Sequence, residues 1–369
     1  MSKLKLSLVT TNRNDSYMGN SNYRLEVSIN YLAEQLAYLD KLDDVEYIIV
    51  DWGSKQPLHS VLNLSDNAKK ITRFILVPVS LAEKIKAKSD FPAAMAFNIG
   101  IRRSRGDLVT ISPADTIFPA KLLDKVLSPG HNSKNKINSD ESLFVFARKN
   151  IPMEIVNRKF NVNELTEFID KNNELLVIKN VNPYLFSGTG VLIMRRSLWF
   201  ECHAFDEKIL HWGWNDIDLC LRVRLRYPVK NMSKEWDSYV YHLDHYPVGF
   251  NHEKIAQPVL NQFAVNTERW GFLDHGFEEF PSKPSSDLFS DISKPQTADL
   301  HFRRKHWLNL FKFLLFSPVH LTAALYALKM IFIADSGNSW ILSKSYHGFK
   351  MFKNKINTIL RRPLENETN

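Results

Sequence analysis

Hydrophobic residues in the first third of the chain recur at two spacings, one typical of strands and one typical of helices. Four short apolar runs predict strands, and two stretches with apolar residues at helical spacing predict helices between them. The strands are expected at residues 4–9, 47–50, 71–77 and 108–112, and the helices at residues 23–39 and 92–105. Strands separated by helices predict an α/β fold, with a mixed, mainly parallel sheet and helices on both faces.

Pattern and composition divide the 369 residues into four segments. Residues 1–127 contain the regular alternation of predicted strands and helices, and residues 128–280 continue it with less regular elements. Residues 281–300 begin with a stretch rich in Pro, Ser and Asp and are expected to form a linker. Residues 301–369 form a basic tail in which we expect amphipathic helices.

Charge changes the interpretation of the tail. It holds 11 Lys or Arg and 3 Asp or Glu, which accounts for the whole net charge of +8. The rest of the chain is neutral, and this argues against nucleic acid as a partner. Residues 306–334 are apolar but interrupted by basic residues and Pro318, so they predict helices that lie in a membrane interface and do not span it. Helices packed on the rest of the chain, or a contact in a homo-oligomer, are the alternatives.

The cysteines and the start of the chain bear on location. Two cysteines, Cys202 and Cys220, are too few for a disulfide framework and indicate buried thiols in a reducing compartment. The apolar run within residues 1–11 is too short for a signal peptide. We therefore expect a cytoplasmic protein, held at the inner face of the membrane where the tail contacts lipid.

Polar residues follow three of the predicted strands. Thr11 and Arg13 follow the first strand, Asp51 the second and Asp115 the fourth. The carboxyl ends of parallel strands meet at one crevice where ligands bind, so we expect these side chains to lie close together. A carboxylate there can accept from a base or ribose, or hold a divalent cation. Asp is also common in turns, and that role stays open for Asp51 and Asp115.

A second group of candidates surrounds the start of a predicted helix over residues 215–226. Trp212 and Trp214 lie just before it, Asn215 begins it, and Asp216 is in its first turn. Flat aromatic rings suit packing against a sugar, although aromatic residues also form cores. Acidic residues are also favoured at a helix start without any chemistry.

Two histidines form the third group. His242 and His245 lie three residues apart after an apolar, strand-like run. A single histidine is more often structural, but a pair at this spacing raises the expectation of a metal site. The sequence contains no Cys-based zinc spacing, P-loop or Gly-x-Ser-x-Gly elbow.

Together these patterns resemble a nucleotide-sugar glycosyltransferase of the GT-A (Rossmann-like) fold, and most of all its family-2-type and galactosyltransferase-like members. In the first half the resemblance rests on Thr-Thr-Asn-Arg-Asn at 10–14, Val-Asp-Trp-Gly-Ser at 50–54, and a helix with Asn-x-Gly at 98–100 that leads to Gly-Asp at 106–107. In the second half it rests on Phe-Asp-Glu at 205–207 and Trp-Gly-Trp-Asn-Asp-Ile-Asp-Leu at 212–219.

The resemblance implies a role for each segment and each candidate residue. Residues 1–127 would bind the nucleotide sugar, and residues 128–280 would bind the acceptor and complete the catalytic half of the same domain. The implied contacts are nucleotide-sugar binding by Thr11, Arg13, Asp51, Asn98 and Arg102, metal binding by Asp115, His242 and His245, acceptor binding by Trp212, Trp214 and Asn215, and base catalysis by Asp216. The implied reaction moves a sugar from a UDP-sugar to a glycan or glycolipid acceptor, with Mn²⁺ or Mg²⁺ and with inversion.

Two positions depart from the family pattern. Pro113 replaces the first Asp of the Asp-x-Asp metal motif, so Asp115 carries that motif alone. Asn215 replaces the Glu before the base. The first change weakens the expectation of metal binding, and the second points to a different acceptor. A retaining transferase, or a non-catalytic glycan- or nucleotide-binding module on the same fold, remains the alternative.

Overall fold

A computed structural model describes residues 4–15, 17–86, 89, 91–128, 141–181, 191–211, 215–246 and 263–281. The predicted tail lies outside these ranges, as does the predicted linker beyond residue 281. None of the helices in the described ranges combines the length and the apolar composition needed to cross a membrane.

The described chain contains twelve strands and ten α-helices. The strands are β1 Leu6–Asn12, β2 Val45–Trp52, β3 Thr72–Val77, β4 Leu108–Ile111, β5 Thr116–Ile117, β6 Leu143–Val145, β7 Arg148–Ile151, β8 Ile178–Lys179, β9 Leu192–Arg195, β10 Val229–Asn231, β11 Val240–Leu243 and β12 Glu278–Phe280. The helices are α1 Ser21–Tyr38, α2 Asp66–Ile71, α3 Val79–Lys86, α4 Ala93–Arg102, α5 Ala120–Leu127, α6 Met153–Asn157, α7 Val162–Asn172, α8 Arg196–Glu201, α9 Asn215–Val223 and α10 Ser233–Trp236.

Eight strands form one mixed sheet in the order β10-β6-β9-β4-β1-β2-β3-β12. The central strands β4, β1, β2 and β3 are parallel to one another. β9 runs antiparallel to β4 and β6, and β12 runs antiparallel to β3. The sheet therefore confirms the mixed, mainly parallel arrangement expected from the alternation of strands and helices.

Both faces of the large sheet are covered by helices. On one face, Leu6 and Leu8 of β1 belong to an apolar cluster with residues of α1, α2 and α5. On the other face, Val9 and Ile48 belong to a cluster with residues of α4, α8 and α9. Every residue of β2 is buried, as expected for a central strand covered on both sides.

A smaller sheet has the order β5-β11-β7-β8. One of its faces, which includes Tyr241 and Leu243, joins a third apolar cluster with residues of α1, α6 and α7. Successive strand residues point to opposite faces, so the registers assign the other face to polar side chains. These are Thr116, Arg148, Asn150, Lys179 and His242, with Val240 as an apolar exception that packs into the first cluster. The sequence analysis missed this sheet because strands of two to four residues carry too little periodicity.

The predicted elements of the first third are all present, with shifted ends. The expected strands correspond to β1–β4, and the expected helices at 23–39 and 92–105 correspond to α1 and α4. The helix expected at 215–226 is α9, which ends at Val223. The expected apolar run before the two histidines is part of β11, which includes His242 itself.

Gly100 is expected to be intolerant of a side chain, because α4 crosses β1 and β2 at this residue. A Cβ there would overlap Cγ1 of Val9 and lie 3.1 Å from Cγ2 of Val50. Gly100→Ala should therefore lower the free energy of unfolding by about 1–3 kcal/mol through overpacking. This loss should exceed the smaller gain that alanine brings in helix propensity. In the matched control Gly276→Ala, the new Cβ meets no described atom within 4 Å. Urea denaturation of both variants tests this, and equal unfolding free energies would contradict it.

Candidate active site

Three predicted metal ligands lie together at the junction of the two sheets. Asp115 comes directly before β5, and antiparallel pairing of β5 with β11 sets Thr116 opposite His242. Oδ2 of Asp115 lies 3.6 Å from Nε2 of His242 and 3.2 Å from Nε2 of His245. One ligand atom from each residue falls within 4.8 Å of the other two. The geometry therefore brings the sequence-predicted metal residues into one cluster.

The hydrogen bonds of His245 place a lone pair toward Asp115. Its Nδ1 lies 2.9 Å from the carbonyl oxygen of Tyr246, and because a carbonyl can only accept, Nδ1 carries the proton. In the neutral imidazole, Nε2 then presents a lone pair to the Asp115 carboxylate. Two acceptors that face each other repel, and this repulsion is removed when Nε2 of His245 is protonated or when a metal cation lies between Nε2 and the carboxylate. The hydrogen bond with Asp115 also raises the pKa of His245.

The other two members of the cluster have properties that suit metal ligands. Burial lowers the pKa of His242 to about 4, so its imidazole is neutral at neutral pH. Burial opposes ionisation of Asp115, but the hydrogen bond with His245 and the nearby positive charges lower its pKa overall. Within the described chain, Oδ1 of Asp115 and Nδ1 of His242 are buried without a hydrogen-bond partner. Two imidazoles and a carboxylate fit a divalent transition-metal ion.

The predicted nucleotide residues Thr11, Arg13 and Asp51 lie at the carboxyl ends of β1 and β2. These ends are adjacent, since Asn12 pairs with Asp51. Nε of Arg13 donates to Asp15 at 2.6 Å. The Asp51 carboxylate accepts from the Ser54 hydroxyl and from the backbone N–H of Leu58. Asp51 thus has the turn-forming role left open by the sequence, and its nucleotide role stays a prediction.

Asn98 and Arg102, the other two predicted nucleotide-sugar residues, make contacts within the protein. Both are fully buried in α4. The Asn98 amide bonds the backbone of Phe205 and the carboxylate of Glu207. The Arg102 guanidinium donates to the backbone carbonyls of residues 268 and 270 and stacks on the Trp270 ring. These contacts hold α4 against neighbouring segments, and the role of the two residues in donor binding stays a prediction.

The predicted base, Asp216, lies in the first turn of α9 and is partly exposed. Asn215 begins the helix, and its Oδ1 is buried with no hydrogen-bond partner in the described chain. The predicted acceptor residues Trp212 and Trp214 lie outside the described residues. Lys179 of the small sheet interacts electrostatically with Asp216 and with Asp244, which lies next to His245 in the chain.

A buried ion pair fixes α9. Nε of Arg222 lies 2.8 Å from Oδ2 of Asp218, and both side chains have no exposed surface. Arg222 also donates to the backbone carbonyls of Cys202, Ala204 and Phe263. Burial raises the pKa of Asp218 to about 6 despite the nearby Arg222 charge. This network ties the helix that carries Asp216 to the segments around residues 203 and 263.

The sequence analysis missed two cations near the site. Arg148 in β7 and Lys179 in β8 are paired directly across the strands. Arg148 interacts electrostatically with Asp115 and Asp244. Neither residue belongs to a motif, and the only sequence signal was a run of polar residues, 148–150, beside an apolar strand.

A mainly parallel sheet with helices on both faces, and a carboxylate and histidine cluster beyond its strand ends, agree with the GT-A fold that the sequence resemblance implied. The sequence matches the model of the family described as "Glycosyltransferase like family 2" over residues 22–251. That match covers more than half of the 369 residues, and the chain therefore belongs to this family.

Solved structures similar to the chain include two of S. aureus TarS 1-349. The complex with UDP-GlcNAc has 12% identity and a TM-score of 0.43, and the match covers 66% of this chain and 60% of that one. The complex with UDP has 12% identity and a TM-score of 0.42, with 65% and 61% covered. The chain therefore spans about three-fifths of the TarS 1-349 structures. A comparison with curated proteins found no match.

Loss of Asp115 is expected to abolish metal binding. Since removal of an outer-shell partner typically costs about 10–100-fold in metal affinity, removal of the only carboxylate in the cluster should weaken Mn²⁺ binding at least as much. Titration of Asp115→Ala with Mn²⁺, followed by electron paramagnetic resonance, measures this. Asp124→Ala removes an exposed carboxylate from α5 and serves as the control. Equal Mn²⁺ affinity in both variants would leave Asp115 as a turn residue only.

Asp218→Asn is expected to destabilise the fold, because it leaves the Arg222 charge buried without its partner. Breaking such a pair costs about 3–5 kcal/mol, so the denaturation midpoint should fall sharply. Asp124→Asn changes an exposed Asp to Asn in the same way and should unfold like the wild type. If Asp218→Asn unfolds at the same denaturant concentration as this control, the ion pair does not hold α9.

Proposed function

We propose that the protein is a metal-assisted, inverting glycosyltransferase that moves a sugar from a UDP-sugar to a saccharide or lipid-linked saccharide. The observation that carries the proposal is the cluster of Asp115, His242 and His245 beside the strand ends. A non-catalytic binding module has no need of a carboxylate positioned as a base, the role proposed below for the partly exposed Asp216. The galactosyltransferase-like character of residues 212–219 stays a prediction.

The donor is proposed to lie across the ends of β1 and β2. Thr11 is partly exposed there, and the Arg13 guanidinium lies 5.8 Å from the centre of the Phe91 ring. Strand β1 neighbours β4, and Asp115 follows β4 in the chain. With the base or ribose between Thr11 and Arg13, the diphosphate would therefore extend toward Asp115. Thr11 and Arg13 would thus bind the nucleotide, and Asp51 would shape the turn beneath it.

Mn²⁺ is favoured over Mg²⁺ by the donor atoms of the cluster. Mg²⁺ prefers oxygen ligands, whereas imidazole nitrogen suits transition-metal ions. Asp115, His242 and His245 would supply one carboxylate oxygen and two Nε2 atoms. A divalent cation held there supplies charge that stabilises the departing diphosphate. The Nδ1 proton of His245, fixed by the Tyr246 carbonyl, orients that ring for ligation.

Asp216 is proposed to accept the proton of the acceptor hydroxyl. Its position in the first turn of α9 gives it a defined location, and the Asp218–Arg222 pair one turn below holds that helix. A single base on the face opposite the leaving diphosphate leads to inversion at the anomeric carbon. A retaining reaction is the alternative, and the anomeric configuration of the product distinguishes the two.

Membrane contact and location complete the proposal. The tail, residues 301–369, would bring the enzyme to a lipid-linked acceptor at the cytoplasmic face of the membrane. The support is its positive charge and its apolar stretch at residues 306–334. No nucleic acid partner is expected for the neutral remainder of the chain.

Asp216→Asn is expected to lower the transfer rate about 100-fold or more, in line with the contribution of a general base, while UDP binding persists. The assay uses a panel of UDP-sugars and acceptors, with UDP affinity measured on the same samples. Asp66→Asn is the matched control, because Asp66 also lies in the first turn of a helix, α2. If both variants retain more than a tenth of the wild-type rate, Asp216 acts only as a helix-start residue.

A further inference from the structure

The polar face of the small sheet carries two cations that the proposed function does not explain. Arg148 and Lys179 are partners across the antiparallel β7–β8 pair. They share the sheet face of His242, since Arg148 pairs with Val240, two residues before His242. Like charges directly opposite each other destabilise a strand pair. Asp115, Asp216 and Asp244 offset part of this repulsion, and a bound anion would offset the rest.

Neither cation has a close anionic partner in the described part of the chain. Among the described residues, no carboxylate oxygen lies within 4.0 Å of Arg148 or Lys179 nitrogens. Nε of Arg148 is buried and has no hydrogen-bond partner. On the same face, Oδ1 of Asn150 is also buried without one. Unused donors at a partly buried guanidinium match what an oxyanion needs.

The strand order separates this pair from the proposed donor site. Polar residues follow one another from Asp51 in β2 and Thr11 in β1, through Asp115 before β5, to His242 in β11. Arg148 lies one strand beyond His242, and Lys179 lies two strands beyond, at about 4.8 Å per strand. The nucleotide and diphosphate would occupy the earlier part of this row. Lys179 instead interacts electrostatically with the proposed base.

We propose that Arg148 and Lys179 form an anion subsite that binds a phosphate or carboxylate group of the acceptor. The inference rests on the proposed function and deepens it, because it defines the acceptor as a negatively charged saccharide. The guanidinium offers two parallel N–H donors to an oxyanion, and the ammonium adds a point charge. An acceptor held there by its anionic group presents a neighbouring hydroxyl to Asp216.

The test compares neutral and anionic sugars on the full-length protein saturated with Mn²⁺ and UDP, so that the donor site is filled. Glucose, galactose and N-acetylglucosamine are titrated calorimetrically beside their 6-phosphates, and glucose and galactose also beside their uronates. At least one anionic sugar should bind about tenfold or more tightly than its neutral parent, as expected for charge-assisted hydrogen bonds. The phosphate and uronate arms distinguish the two sources of negative charge.

The double variant Arg148→Gln/Lys179→Gln should lose the preference for anionic sugars. Arg158→Gln/Lys171→Gln removes two exposed cations from the α6–α7 side and should keep it. The charge-conserving variant Arg148→Lys/Lys179→Arg should retain most of the preference. The charge-conserving variant is also the control for folding: a loss of binding in the Gln variant is interpreted only if the two variants have the same denaturation midpoint. If the charge-conserving variant has already lost the preference for anionic sugars, a charge-based subsite is contradicted.

Three results would overturn the subsite. The first is equal binding of neutral and anionic sugars by the wild type. The second is a preference for anionic sugars that survives in the Gln variant. The third is a loss of UDP affinity in the Gln variant that equals its loss of sugar affinity. The last result would assign the pair to the donor diphosphate. Failure of the wild type to bind UDP with Mn²⁺ would instead contradict the proposed function, so the two failures are distinguishable.

Discussion

The antiparallel pairing of β5 with β11 is the contact on which the candidate site depends. It brings Asp115, at the end of the large sheet, against His242 in the small sheet. The result is a buried space in which a carboxylate and two imidazoles place acceptor atoms within 4.8 Å of one another. Such a set is unfavourable without a positive charge among its members. Protonation of His245 or a bound cation would supply that charge.

Alternate residues of each strand place apolar side chains mainly on one face of the small sheet and polar side chains mainly on the other. Its apolar face packs on α1, α6 and α7 and contributes to stability. Its other face carries the neutral His242 and the cations Arg148 and Lys179, and the buried Nδ1 of His242 and Nε of Arg148 have no hydrogen-bond partner among the described residues. A shift of one residue in register would exchange the two faces. The apolar face therefore fixes the position of the polar one.

The acidic residues of α9 have different roles although they lie two positions apart. Asp218 is fully buried with Arg222 and holds the helix, whereas Asp216 is partly exposed. A buried ion pair contributes little net stability over an apolar pair of similar volume. Its directional bonds to three backbone carbonyls, however, define where the first turn of α9 lies. The Asp218–Arg222 ion pair therefore serves to position α9 more than to stabilise the fold.

The sequence alone determined the alternation of β1–β4 with α1 and α4, because long amphipathic segments carry their own period. It also identified Asp115, His242 and His245 as a group, since a motif names residues that must meet. It did not predict the contacts of Asn98 and Arg102 with the backbone of residues 205 and 270, because a motif does not say what a side chain touches within the protein. Only the tertiary structure decided the small sheet and the Arg148–Lys179 pair, because strands of two to four residues have no readable period and their register depends on distant partners.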